Sequence, residues 1–204
     1  MRYSAKETHK NLYSPGTKEF VLVEVPPMRY LAIDGHGDPN TSERYAEAVP
    51  ALYTSAYAVR AELKKRTGDD FVVGPLEGLW SAPDPTAFAE GRKDEWDWTM
   101  LIPIPEPVTD GDIEAGLAAS SSKKPELPIH DVRVLELEEG PSLQIMHVGP
   151  YAEEGPVLAR LHHEVMPEGG YTFGGDHHEI YLGDPRKSAP EKLRTILRQP
   201  VVPA

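Results

Sequence analysis

The chain has 204 residues, 39% hydrophobic and 26% charged, enough for one sizeable core or two small ones and incompatible with a disordered or fibrous protein. No run approaches the roughly 18 to 20 apolar residues of a membrane-spanning helix, and Met1 to Lys10 lacks the apolar stretch of a secretion signal, so no membrane association and a cytoplasmic location are expected. The absence of cysteine removes disulfides, thiolate nucleophiles and cysteine-held zinc, and a formal charge of −12 repels phosphate backbones, so direct nucleic-acid binding is not expected and cationic small molecules are favoured.

Proline and glycine fall between short apolar runs and act as turn punctuation. Phe20 to Val25 and Met28 to Ile33 read as two strands joined by a tight turn at Pro26-Pro27. Tyr45, Val49, Leu52, Ala56, Val59 and Leu63 form one helical stripe. Pro50 costs about 3 kcal/mol inside a helix, so either Ser42 caps a kinked helix or the main helix begins near Pro50; Gly68 ends it. Phe71 to Ala82 and Glu95 to Ile104 look like a strand pair around the loop Pro83 to Asp94, and Thr109 to Ala119 like a short helix. Ser120 to Pro128 reads as a connection between two halves.

The pattern then starts again. Val132 to Leu137 and Ser142 to Val148 form a second apolar pair, and Gly149-Pro150 leads into a helix with Leu158, Leu161 and Val165 on one face, ended by Pro167 and Gly169-Gly170. His178 to Leu182 and Thr195 to Val202 are the last strands, with a capping-box spacing at Ser188 to Glu191 between them. The reading is an α+β chain in which a strand, strand, helix, strand, strand unit is duplicated. Its antiparallel sheets would be related by a pseudo-twofold axis around a central ligand crevice. Ile33 to Gly37 echoes Met146 to Gly149, and Glu77 lies six residues before Pro83 as Glu179 lies six before Pro185. The expected layout is an extension over 1–18 and a single domain over 19–204, with a first repeat at about 19–105, a connection at about 106–130 and a second repeat at about 131–202.

His162, His163, His177, His178 and Glu179 raise the question of a metal, but Pro167 occupies the position of the second histidine in a zinc-protease helix, so no metal is expected and the histidines default to surface or supporting roles. Gly35-His36-Gly37 lacks the third glycine of a dinucleotide site, and no nucleophile elbow or phosphate loop occurs. No cofactor is expected. Strand alternation places His177, Glu179 and Tyr181 on one face; the more aliphatic face of His178, Ile180 and Leu182 is expected to pack on helices. Trp96, Trp98, Met100 and Ile102 share a face, and Trp80 and Tyr151 lie near the ends of their elements. A carboxylate among aromatic rings suits a flat organic cation. The plain alternative is that Trp96 and Trp98 are core and Glu179 a solvated edge residue.

Two blocks resemble the GyrI-like small-molecule-binding family, which is related to the drug-sensing domains of multidrug-responsive regulators. One runs from His147-Val148-Gly149-Pro150-Tyr151 through His177 to Arg186 and Leu193 to Val201; the other is Trp96-Asp97-Trp98-Thr99-Met100 with the preceding Leu52 to Tyr57 segment, as in stand-alone members. The resemblance implies duplicated strand-helix-strand-strand units around a pocket for bulky aromatic, often cationic, compounds, with Glu179 matching the glutamate that meets the cation. Nothing in Met1 to Glu19 is long enough for the regulators' separate DNA-binding module.

The first expectation is a binding module whose ligand contacts are Trp80, Trp96, Trp98, Met100, Tyr151, His177, Glu179 and Tyr181, with no covalent chemistry. The alternative is a hydrolase that opens cyclopropane rings of DNA-alkylating natural products, as some stand-alone relatives do, with Glu179 as acid or base and Tyr181 or Tyr151 as hydrogen-bond donor. A lesser alternative is a protein-interaction role such as gyrase inhibition.

Overall fold

The computed structural model describes residues 1–84 and 86–204; Pro85, in the loop expected over Pro83 to Asp94, lies outside the described residues. The fold is α+β. In chain order the strands are β1 (Arg2–Tyr3), β2 (Val21–Val25), β3 (Met28–His36), β4 (Asp70–Phe71), β5 (Leu76–Ser81), β6 (Asp97–Ile104), β7 (Arg133–Leu137), β8 (Gly140–Val148), β9 (Tyr171–Phe173), β10 (His177–Tyr181) and β11 (Arg194–Pro203). Contacts divide the chain into one unit of Met1–Thr8 with Met28–Leu137 and another of His9–Pro27 with Glu138–Ala204.

In the first unit the antiparallel order is β5-β6-β3-β7, and β1 pairs with β4 in parallel. The expected hairpin between β2 and β3 does not form: β3 pairs with β6 and β7, while β2 pairs with β8. Pro26-Pro27, between the two strands, cannot donate the backbone hydrogen bonds of a ladder.

One helix runs over Glu43–Thr67 without a break at Pro50, with Ser42 accepting from the Tyr45 N–H and Gly68 ending it at φ 78°. Pro50 and Ala46, whose carbonyl loses its N–H partner, both lie on the exposed side, and Ala48, Ala51, Leu52, Ala56, Val59 and Leu63 bury the other. That burial outweighs the proline. The helix Asp110–Lys123 begins at a Thr109/Asp112 capping box and runs through Ser120 to Lys123, residues expected to be connection. Composition hid this: Ser120 is buried, its hydroxyl donating to the Gly116 carbonyl at 2.8 Å, and Gly116 lets the two long helices meet, since a Cβ there would stand 2.7 Å from Val59.

Helix Glu43–Thr67 packs on β3 and β6 over the face of Ile33, Trp98 and Met100, and the opposite face gathers Tyr30, Ala32 and Leu101 with Leu79, Leu135 and Leu137. Trp98 crosses Gly35, where a Cβ would lie 2.1 Å from the indole, and donates its Nε1–H to the Gly37 carbonyl at 3.2 Å.

In the second unit the order is β2-β8-β11-β10, with β9 on the end of β11. The helical segment is Gly155–Arg160, a π-helical stretch Leu161–Val165 and Met166–Glu168. Leu161 and Met166 pack on Leu143 and Val201. Behind the sheet, Arg198 donates to Glu139 (2.9 Å), Gln144 (3.1 Å) and the Leu12 carbonyl (3.1 Å), and Glu139 also meets Nδ1 of His178 at 2.9 Å. Burial alone would raise the Glu139 pKa; His178 and Arg198 outweigh it and hold it down at about 2.

Gly35→Ala is expected to cost about 1–3 kcal/mol by overpacking against a ring that cannot move, and Trp98→Leu in the same chain to recover part of it, both read by denaturant unfolding. Glu139→Gln should cost about 3–5 kcal/mol near neutral pH by leaving Arg198 uncompensated. Because the folded-state pKa is depressed, that stabilisation is present above about pH 4.5 and lost as pH falls toward 2, which unfolding midpoints across pH will measure.

Candidate functional site

The register of β10 on β11 sets Glu179 opposite Leu197 and Tyr181 opposite Thr195, and Thr195 in turn opposes His147 on β8. Alternation therefore turns His177, Glu179, Tyr181, Thr195 and His147 to one face of the second unit. It is the face covered by the helical segment, since Leu143 and Val201, which Leu161 and Met166 touch, share its parity. The expectation that the His178 face packs on helices is thus corrected: His178 lies wholly buried on the opposite side, in the Glu139–Arg198 network, and is not a surface histidine.

After Gly149-Pro150 the chain makes a 3-10 turn, Tyr151–Glu153, that delivers Tyr151 and Glu154 onto this face. His147 Nε2, 3.2 Å from the Pro150 carbonyl, steadies the turn. The Tyr151 ring meets Tyr181 edge-on at 5.7 Å, and the Tyr181 hydroxyl donates to Oε2 of Glu179 at 2.8 Å. Nε2 of His177 lies 3.4 Å from Oε1 of the same carboxylate.

Glu154 is 5% exposed, and its Oε1 has no hydrogen-bond partner among the described residues. Burial first, then the charge of Glu179, pushes its pKa up to about 9. Both causes favour its protonated form. Tyr151 is pushed up to about 12 by burial and by Glu154, Glu179 and Asp184, so its phenol keeps its proton. His162, from the π-helical stretch, packs edge-on against Phe173 at 5.0 Å, and burial with His177 and His163 lowers its pKa to about 4. A protonated carboxyl beside a second carboxylate supplies a proton donor and a proton acceptor from one residue type.

The structure thus brings Tyr151, His177, Glu179 and Tyr181 together, and adds Glu154 and Thr195, which the sequence reading missed. Nothing in the sequence separates Glu154 from its exposed neighbour Glu153; the only signal is its position three residues after Tyr151, one helical turn on. The other expected contacts belong to the first unit. Trp80, Trp96 and Trp98 form an aromatic cluster with Tyr45 and Phe88: Tyr45 stands 6.4 Å from Trp80 and 5.1 Å from Trp98, Trp80 5.7 Å from Trp96, and Trp96 5.0 Å from Phe88. Trp98 and Met100 are core, at 2% and 0% exposure. The Glu77 echo also fails on geometry: Glu77 opposes Leu101, on the side of β6 away from Trp98 and Met100 and hence from the long helix, whereas Glu179 is on the helix-covered side of its own sheet. A one-residue offset reverses every side chain of a strand.

Among the described residues no cluster of three or more histidine, aspartate or glutamate side chains could hold a metal, and no helix is long and apolar enough to cross a membrane. The model of the GyrI-like small molecule binding domain matches residues 18–202. The chain belongs to the GyrI-like family. This GyrI-like chain is similar to an uncharacterized conserved protein from Listeria innocua, with a TM-score of 0.88 and 37% identity over 98% of this chain and 99% of that one. It is likewise similar to two structures of hydrolases from Listeria innocua, each 36% identical: one has a TM-score of 0.83 over 98% of this chain and 99% of that one, the other 0.86 over 99% and 100%. No curated protein matches it. Near-complete similarity to structures described as hydrolases overturns the first expectation of a binding module without covalent chemistry.

Replacing Glu154 by Gln should stabilise the fold, and more at pH 8 than at pH 5. The folded state holds the Glu154 proton while the unfolded chain releases it, so stability falls as pH rises from about 4.5 toward 9; the isosteric amide removes that slope. Thermal unfolding of both proteins at the two pH values checks it, and equal shifts would count against a protonated Glu154.

Proposed function

We propose that this GyrI-like chain is a hydrolase of small organic molecules, with Glu179 and Glu154 as its acid–base pair. The observation that carries the reading is that one helix-covered face presents two carboxyl groups, one protonated through burial and the other held by the Tyr181 hydroxyl. The similarity to two hydrolases over almost the whole chain supports it. A partly exposed ring such as Tyr151, on the same face as the carboxyl groups, suits flat organic substrates.

Family resemblance directs the substrate to strained cyclopropanes of DNA-alkylating natural products. In the proposed step Glu179 takes a proton from water as the oxygen bonds to a ring carbon. The ring carbon–carbon bond breaks, its electron pair moves into the substrate's acceptor group, and Glu154 protonates that group. Glu179 then loses its proton to solvent and Glu154 regains one, so the net change is addition of one water. Tyr151 acts as hydrogen-bond donor to the charge developing on the acceptor group, while the Tyr181 hydroxyl remains on Glu179.

The two units also read as copies of one strand-helix-strand-strand element, β3-helix-β5-β6 and β8-helix-β10-β11, with orders β5-β6-β3 and β10-β11-β8. Aligning Gly37 (φ 95°) with Gly149 (φ 143°) and following the registers puts Gly78 in the place of Glu179, Trp80 in that of Tyr181 and Trp98 in that of Thr195. On this reading one copy packs aromatics where the other carries the chemistry.

Incubation of the purified protein with a cyclopropane-bearing DNA-alkylating compound in ¹⁸O water should accelerate formation of labelled ring-opened product above the solvent rate. Glu179→Gln should lower kcat by about 10²–10⁴-fold with the fold intact by circular dichroism. No acceleration by the unaltered chain, or full turnover by Glu179→Gln, would overturn the reading.

A further inference from the structure

The row that carries Glu179 continues past the carboxyl groups. On β11, Thr195, Leu197 and Val201 lie on the helix-covered face and oppose Tyr181, Glu179 and Phe173 in turn. Residues directly opposite each other in a sheet share a face, so Phe173 looks out from the face of Glu179. The four residues from Leu197 to Val201 place it about 14 Å along the sheet from the carboxylate, with Tyr181 in the opposite direction.

Phe173 is 55% exposed, although Val201 opposite it is buried under Leu161 and Met166. It is not a fraying end. The Gly174 N–H donates to the Pro200 carbonyl at 2.8 Å, the Gln199 side-chain amide donates to the Gly175 carbonyl at 2.8 Å, and a Cβ on Gly174 would stand 3.0 Å from the Val201 backbone. Scattered apolar side chains on a surface are ordinary. A ring clamped in the open on the row of a candidate active site offers a flat wall to whatever extends from that site. His162 supplies a second wall: it comes from the π-helical stretch Leu161–Val165, a wide turn of a kind frequent at functional sites, and its ring stands 5.0 Å from Phe173 at 66°. Burial favours its uncharged form. The corner between the two rings therefore fits a flat neutral ring, stacked on one and edge-on to the other.

We propose that Phe173 and His162 form a second subsite, which receives a flat aromatic extension of the substrate whose reacting end lies at Glu179. The inference rests on the hydrolase reading above and adds a length to its substrate: an arm that reaches about 14 Å from the reacting carbon along β11. The occupant is part of the substrate because the exposed ring stands in the same row as the carboxylate, on the same face of the same sheet. Contacts so far from the breaking bond act as binding energy and appear in KM before kcat.

The test gives the full chain two cyclopropane-bearing compounds, one the compact reactive core and the other the same core joined through an amide to a flat indole arm. The unaltered chain should prefer the extended compound by about tenfold or more in kcat/KM. Phe173→Ser should remove about tenfold of that preference through a higher KM for the extended compound, and Phe173→Trp, which keeps a flat ring, should restore it. The arm alone, as indole-2-carboxamide, should bind the unaltered chain about tenfold more tightly than Phe173→Ser by calorimetry. An unchanged preference in Phe173→Ser would overturn the subsite and leave the hydrolase standing. A change of oligomeric state in that variant by size-exclusion chromatography would do the same, because it would assign the ring to a second copy of the chain. No turnover of either compound by the unaltered chain would overturn the hydrolase reading; Phe173-dependent binding of indole-2-carboxamide would then still support the subsite, and equal binding by both proteins would overturn it as well.

Discussion

The second unit depends on a buried ion pair. Arg198 is 1% exposed, and a guanidinium so placed is tolerable only when its donors are used. Glu139, Gln144 and the Leu12 carbonyl use them, and Glu139 in turn holds His178. Four segments distant in sequence are tied at one point. Because His178 sits between His177 and Glu179 on β10, fixing it from behind also fixes the direction in which its two neighbours point. The charged network on one face and the candidate site on the other are two consequences of a single strand register.

That register also explains how one residue type performs two tasks. Glu139, Glu154 and Glu179 begin as chemically identical carboxyl groups and end in different environments. Glu139 is buried between two cationic partners and is held ionised; Glu154 is buried beside another carboxylate and is held protonated. In both cases burial opposes the charge, and the sign of the neighbours decides the outcome. The candidate chemistry rests on this difference more than on the count of acidic residues.

The regular elements were largely legible in the sequence because they follow local rules. The stripe from Tyr45 to Leu63 produced the long helix, the strands fell close to their expected spans, and the blocks from His147 to Val201 and from Trp96 to Met100 carried the resemblance to the family. The failures share one cause. Pro50 inside the helix, Ser120 to Lys123 as helix, β2 apart from β3 and the helix-facing side of β10 were all decided by what packs against the segment, which composition does not state.

The sequence by itself determined an α+β chain with a carboxylate on a strand face flanked by a histidine and a tyrosine, and those properties come from periodicity and from residues adjacent in the chain; its two motif blocks carried the resemblance to the GyrI-like family. Only the tertiary structure decided that Glu154 joins Glu179, that His178 turns away into an ion network and that Met100 is core. A pKa and a hydrogen-bond partner depend on burial and on distances of a few ångströms between residues far apart in sequence, and only the folded chain sets those.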